Sequence, residues 1–450
     1  MTGSAGRSGF RRVLLNIGWL SFDRLLRLAV GLFVGVWVAR YLGPERFGQL
    51  SFALAFVGLF SAFAGLGLKG IVVQDMIRDP AGELQTMGSA MVLTMLGGMS
   101  AYGGAVAVAL CLRPGDPDAV ILVAIVGLLL LFRVGDVGAY WFESRIMSKY
   151  VAWVSASVFL GFSLIKVALI LFEAPLTAFA GAAAAEVAMI AVLTMGALHL
   201  RGPGLRALHF SVVRARGLLR ESWPLLLSGV SMTIYMKMDQ IMLGVMVGDR
   251  EVGVYSAAAR ISELWYFIPM VVVASLFPLI LKAREESPPH YQHRLQSLCD
   301  LMVWLAVLVA VPVSIFAGAL MDLVFGAGYT ESGAILAVHV WAGVFVFLGV
   351  AGGRWYVAEG LQLLNFYRKG VGAVINVALN LALIPLWGGL GAAIATVLSY
   401  AFVEFIADSW RFDTRDLFWI KMRAFHLPKT GARLVREVRR GLGDCHQVSS

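Results

Sequence analysis

Apolar runs of membrane-spanning length recur along the whole chain. They fall at about 14–39, 47–68, 86–112, 118–140, 151–172, 176–200, 222–248, 253–281, 296–320, 333–353, 366–386 and 390–410, each bounded by charge or by Gly/Pro breaks. A helix of about 20 apolar residues crosses the ~30 Å of bilayer hydrocarbon. The pattern therefore predicts an all-α polytopic membrane protein with about twelve transmembrane helices. The stretch from Trp223 to Pro278 is the most informative. It reads as two spanning helices joined by the polar turn Gly248-Asp249-Arg250-Glu251, yet Lys237 and Asp239 sit near the middle of the first helix and Arg260 and Glu263 inside the second. An ionisable group at the bilayer centre costs roughly 2.5–3.5 kcal/mol. Four in one hairpin point to a polar lumen, and so to a transporter.

Lysine and arginine placement sets the expected orientation. With the N-terminus inside, the cytoplasmic segments collect Arg7, Arg11, Arg12, Lys69, Arg78, Arg145, Lys149, the 201–221 loop, Lys282, Arg284, Arg294, Arg354, Arg368, Lys369 and the arginine-rich tail. The opposite side keeps only Arg40, Arg46, Arg113 and Arg250. Both termini are expected in the cytoplasm. The basic loop 201–221 divides the chain into six-helix halves, 14–200 and 222–410, flanked by a cytoplasmic N-terminus (1–13) and a basic tail (411–450). The halves echo each other: residues 42–53 align with 247–258, matching Gly43 to Gly248, Gly48 to Gly253, Ser51 to Ser256 and Ala53 to Ala258. Residues 181–187 likewise echo 391–397. An even number of spans per half makes this a parallel repeat about an axis along the membrane normal.

Composition agrees. Of 450 residues 59% are hydrophobic and only 14% charged, where soluble chains carry about 25%. The net charge of +9 resides in loops and tail and does not suggest nucleic acid. Cys111, Cys299 and Cys445 form neither a disulfide framework nor a metal spacing, and no cofactor or metal is expected. The first apolar segment carries Asp23, Arg24 and Arg27, which argues against a cleavable signal peptide. The tail after Leu427 reads either as an amphipathic helix on anionic lipid headgroups or as a disordered positive tail.

The charges within the spans are the candidate functional residues. Asn16, Asp23, Arg27 and Gly31 share a face of the first span, with Arg24 at its edge. The plainer reading there is a structural Asp23–Arg27 pair at i, i+4 spacing. Arg133, Asp136 and Tyr140 follow i, i+3, i+7 spacing in the fourth span, which suits an internal ion pair as well as a cargo contact. Lys166 lies about 9 Å from the outer end of its helix and is expected to snorkel to the interface. Glu186 is too short and deep to do so, leaving a protonated structural carboxyl or a coupling site. Asp239 shares a face with Ser228 and Tyr235 while Lys237 points away, and Arg260 and Glu263, one turn apart, are placed to neutralise each other. Pro269 and Pro278 should kink the eighth span. The basic groups Arg24, Arg27, Arg133, Lys166, Lys237 and Arg260 suit an anionic cargo such as a phosphate, which arginine grips bidentately. The acids Asp23, Asp136, Glu186, Asp239 and Glu263 offer charge partners or a proton or sodium site.

Residues 39–48 (ARYLGPERFG), 233–269, 325–355 (FGAGYTESGAILAVHVWAGVFVFLGVAGGRW) and 372–401 (GAVINVALNLALIPLWGGLGAAIATVLSYA) together resemble the oligosaccharide or O-antigen flippases. These belong to the multidrug/oligosaccharidyl-lipid/polysaccharide exporter superfamily, and the resemblance runs over about 13–410. It implies two six-helix bundles around a V-shaped cavity, alternating access, a bacterial inner-membrane location and an undecaprenyl-diphosphate-linked oligosaccharide as cargo, with a polysaccharide polymerase as a partner. The physics agrees, since each unpaired hydroxyl costs about 4–8 kcal/mol in hydrocarbon and a sugar does not cross unaided. The alternatives within the superfamily are a peptidoglycan lipid-precursor flippase and a multidrug/cation antiporter, which would favour acidic lumen residues. A membrane glycosyltransferase or ligase would need a sizeable external catalytic loop, and the external loops here are all short.

Overall fold

The computed structural model describes the backbone of residues 3–426 and the side-chain environment of residues 27–426. The side chains of Asp23 and Arg24, and the basic tail from Leu427 onward, lie outside the described residues. Throughout those described the chain is helical, with no strand. Hydrocarbon leaves a spanning backbone to satisfy its own polar groups, and the helix does so within one segment. Among the described residues nine helical stretches are long and apolar enough to cross a membrane.

Packing divides the chain into two compact units, Met1–Gly253 and Val254–Ser450. The first contains α1 (Gly3–Gly65), α2 (Leu68–Arg78), α3 (Glu83–Leu112), α4 (Pro117–Leu131), α5 (Asp136–Ser144), α6 (Ser148–Leu171), α7 (Leu176–Arg201) and α8 (Val212–Met246). α9 (Asp249–Glu263) begins in the first unit and ends in the second. Then come α10 (Phe267–Glu286), α11 (Pro288–Ile315), α12 (Ala317–Phe325), α13 (Ser332–His339), α14 (Ala342–Ala358), α15 (Gln362–Glu404) and α16 (Phe412–Ala424). The packing divide thus falls beyond the basic loop 201–221. α8 lies against α1, α2 and α3, and at Gly67 the approach is so close that a Cβ would stand 2.5 Å from the Leu226 nitrogen.

The breaks follow from local chemistry. α1 is two helices joined at Gly43, whose φ of 71° is open to glycine, and Pro44 restarts the second leg with its fixed φ. α15 bends likewise at Gly388, φ 53°. Asp116 caps α4, its Oδ1 accepting the Ala119 amide at 3.0 Å, with Pro117 in the first helical position. The eighth span is interrupted near one of its two prolines: residues 264–266 tighten to a 3₁₀ turn before Pro269, which has no N–H to bond to the preceding turn, whereas α10 continues through Pro278. A second 3₁₀ interruption, at residues 132–135, has no proline. There Gly135 packs so closely on α7 that a Cβ would stand 2.4 Å from that of Ala191.

Candidate functional site

In the first unit α1 ends at Gly65, and Leu66 and Gly67, at φ 50° and 66°, swing the chain into α2. The start of α2 has no side-chain cap. Beside it the 132–135 turn presents Arg133, and α5 presents Asp136, Tyr140 and Glu143. A cavity of about 380 Å³ opens here, lined among others by Ser61, Gly65, Lys69, Arg133, Tyr140 and Leu226. A second of about 490 Å³ shares Lys69 and Gly70 with it and continues past Gln74 to Arg78 and Glu143. The Arg133 guanidinium lies against Gly65, where a Cβ would meet its Nη2 at 3.2 Å. Arg133 Nε stands 3.0 Å from Asp136 Oδ2, and Lys69 Nζ 3.0 Å from Glu143 Oε2. These side chains are between a third and two-thirds exposed. The Lys69–Glu143 pair is open enough to contribute only about 0–1 kcal/mol, whereas Arg133 Nε, which faces Asp136, is itself buried.

The other expected site residues are distributed more widely. Arg27 is half-buried, its guanidinium 5.0 Å from the centroid of the Phe159 ring. On α8 Asp239 is buried, on the same face as buried Tyr235, and Lys237 is half-buried. None of these lines the cavities just described, which Arg133 does. Lys166 does not snorkel: its Nζ lies 2.7 Å from Glu186 Oε2 on the neighbouring helix. That contact corrects the snorkelling expected of Lys166 and agrees with Glu186 as a charge partner, because an acid of opposite charge at helix-packing distance offers lysine more than a stretch to the interface. In the second unit Arg260 is exposed and Glu263 half-buried, and the described residues show no ion pair between them. One-turn spacing sufficed for Arg133 and Asp136 but not for this pair.

Several clusters were missed by sequence reasoning. Arg113 at the end of α3 pairs with Asp249 at 2.7 Å and Asp116 at 3.2 Å, donates to the Gly244 carbonyl and lies 4.0 Å over the Phe52 ring. Arg214 joins the 201–221 segment to the start of the chain, 3.0 Å from Asp75 and 2.7 Å from Asp79. Its guanidinium, with the Gly82 amide, holds the Asp79 carboxyl below the usual carboxylate range. In the second unit Asp408 accepts from Arg368 (2.9 Å), Lys421 (2.7 Å) and Tyr356 (2.6 Å), all buried. The available signal was the register of Thr414, Leu417, Lys421 and Ala424, which lie on one buried face of α16.

The sequence echo has a physical counterpart. A Cβ on Gly48 would stand 1.7 Å from the Asp249 carbonyl oxygen, and one on Gly253 would stand 1.8 Å from that of Pro44. Gly48 matches Gly253 in the repeat, and Pro44 matches Asp249. The contact is thus reciprocal, as two-fold related segments require.

Helices of membrane-spanning length and composition, with charged residues lining the clefts between them, define a multi-pass membrane protein. A family model described as "Polysaccharide biosynthesis protein" matches residues 13–284, and the chain belongs to that family. It is 24% identical over 388 residues to the probable low-salt glycan biosynthesis flippase Agl15 of Haloferax volcanii, covering 82% of this chain and 77% of that protein. To the succinoglycan biosynthesis transport protein ExoT of Rhizobium meliloti it is 26% identical over 281 residues, 60% of this chain and 53% of that one. Among solved structures it is similar to a multidrug resistance MATE family transporter of the MOP superfamily in an inward-facing conformation. There the TM-score is 0.71 at 18% identity, over 92% of this chain and 99% of the other. The lipid II flippase MurJ in an inward closed conformation gives 0.67 at 12% identity, over 92% and 91%. These likenesses show the fold, and the family rests on the model match.

Proposed function

We propose that the protein flips undecaprenyl-diphosphate-linked oligosaccharide repeat units from the cytoplasmic to the outer leaflet of a bacterial inner membrane. It does so by alternating access between two six-helix bundles, 14–200 and 222–410. The twelve-span count rests on reading the kinked stretches Arg27–Arg78 and Gln362–Ser409 as two spans each and adding α8. Both termini face the cytoplasm, the basic tail lies against anionic lipid, and a polysaccharide polymerase takes the product. The observation that carries the cargo class is the cationic set Arg24, Arg27, Arg133, Lys237 and Arg260 within a chain of the polysaccharide family. Asp23, Asp136, Glu186, Asp239 and Glu263 serve as charge partners, or as the site of a coupled proton or sodium ion.

A second reading, extrusion of organic cations, draws on the likeness to the multidrug transporter. A cationic lumen disfavours it. The experiment is export of lipid-linked oligosaccharide from vesicles at matched protein abundance. Arg24→Ala, Arg27→Ala and Arg260→Ala should each lose about 1.5–3 kcal/mol of charge-assisted contact, roughly 10- to 150-fold. Arg→Lys should recover part of this, because a point charge lacks the fork. Wild-type rates in all three alanine variants would place the cargo elsewhere, and transport of organic cations in the same vesicles, without glycan, would favour the second reading.

A further inference from the structure

We propose that the cavity beside the start of α2 is a phosphate site, with Arg133 and Lys69 as its cations, that receives the diphosphate of the lipid-linked cargo. The proposal rests on the flippase reading and adds a place where the charged group is held in the first unit.

Two cations from separate elements converge on one cavity: Arg133 from the 132–135 turn and Lys69 from the first turn of α2. Its volume of about 380 Å³ lies within the range of about 300–1,000 Å³ typical of ligand pockets. Gly65, Gly67 and Gly70 line it and leave the backbone bare. Leu68, Lys69 and Gly70 open α2 without a side-chain cap, so the helix adds its own preference for an anion to that of the two side chains. The remaining wall is mostly apolar, with Ala62, Leu68, Leu225 and Leu226 beside Ser61 and Tyr140, which suits a phosphate attached to a lipid.

Both counter-ions, Asp136 and Glu143, come from α5, whereas the cations do not. An entering phosphate therefore takes over two cations from the carboxylates of one short helix. The 3₁₀ turn that carries Arg133 directly precedes that helix, and such interruptions often mark hinges. Partner exchange and a small movement of α5 belong to one step.

The test is titration of purified protein in detergent with inorganic pyrophosphate and, separately, with a polyprenyl diphosphate. Lys69→Gln and Arg133→Gln should each weaken both ligands about 10-fold, and the double variant more. Arg206→Gln, outside the cavity, should leave binding unchanged. The carboxylates supply an opposite arm that keeps both cations in place: Asp136→Asn and Glu143→Gln should tighten pyrophosphate by freeing its cations. Wild-type affinity for both ligands in the Lys69/Arg133 double variant overturns the site, as does unchanged affinity in both acid variants. Loss of pyrophosphate binding with full retention of the polyprenyl diphosphate overturns its assignment to the cargo. Vesicle transport separates the two levels. No movement of lipid-linked glycan by the wild type, with pyrophosphate still bound, sinks the flippase reading, whereas equal transport by wild type and double variant sinks the site.

Discussion

Lys166 and Glu186 are the residues whose meaning changes most between sequence and structure. Read separately, each needs its own explanation inside the membrane: one snorkels and the other is protonated. Brought to 2.7 Å, each explains the other. Removing one partner of a sheltered pair leaves an uncompensated charge, which costs about 3–5 kcal/mol, while an apolar pair of similar volume is often neutral. Glu186→Ala should therefore lower the melting temperature in detergent, and Lys166→Met/Glu186→Leu should restore most of it. A single variant as stable as the wild type would show that the pair carries no such weight. This contact was illegible because it depends on the register of α6 against α7, which spacing within either helix does not encode. Arg133 and Asp136, three residues apart on consecutive turns, were legible for the converse reason. Lys421 was hidden differently: its charge counted toward a cytoplasmic tail, whereas the chain folds back and buries it on Asp408.

At the scale of elements the joints are governed by glycine and by a few arginines. Gly48 and Gly253 were visible as a sequence match, but only the packing of α1 on the α9 start shows why no side chain fits either position. Gly48→Ala and Gly253→Ala should each destabilise the protein by about 1–3 kcal/mol through overpacking. Gly103→Ala, where nothing lies within 4 Å of the added carbon, should stabilise its helix by up to about 1 kcal/mol. Equal melting temperatures for Gly48→Ala and Gly103→Ala would contradict the close contact. The Arg214–Asp79 joint makes a pH-dependent prediction. Asp79 is held below the usual carboxylate range in the folded state, so its contribution is complete above the unfolded value of about 3.9 and is lost as pH falls through the lowered folded value. Amide exchange over residues 205–215 should accelerate on acidification in the wild type. In Asp79→Asn it should already be fast at neutral pH, with a flatter acid response. An unchanged profile would mean that Asp75 and Thr86 hold Arg214 by themselves.

At the scale of the molecule the contacts of the first unit sort its turns into two groups. Arg113 meets Asp249, Gly48 meets the α8–α9 turn, and Tyr41 donates to the Ala174 carbonyl at 3.0 Å. Arg214 meets Asp75 and Asp79, and Arg145 meets Glu83. The first group holds the turns that the lysine and arginine count assigns to the outside, the second those it assigns to the cytoplasm, so charge placement and packing divide the loops alike. Which group is external is a question of topology, separate from the pull of the potential on the cargo. Moving a diphosphate outward across an inside-negative membrane is favoured by about 2.3 kcal/mol per charge per 100 mV, and the same cargo moving the other way is opposed equally. The decisive measurement is labelling with a membrane-impermeant thiol reagent in a background where Cys111, Cys299 and Cys445 are serine, since Cys111 is itself exposed. Arg250→Cys should react from outside in intact cells, and Arg206→Cys only after the membrane is opened. Lipid-linked glycan should then appear in the outer leaflet faster when an inside-negative potential is imposed on right-side-out vesicles. If Arg206→Cys reacts in intact cells and Arg250→Cys does not, the topology is reversed. The potential term would be unchanged, because it depends on the charge moved and not on which way the carrier sits in the membrane.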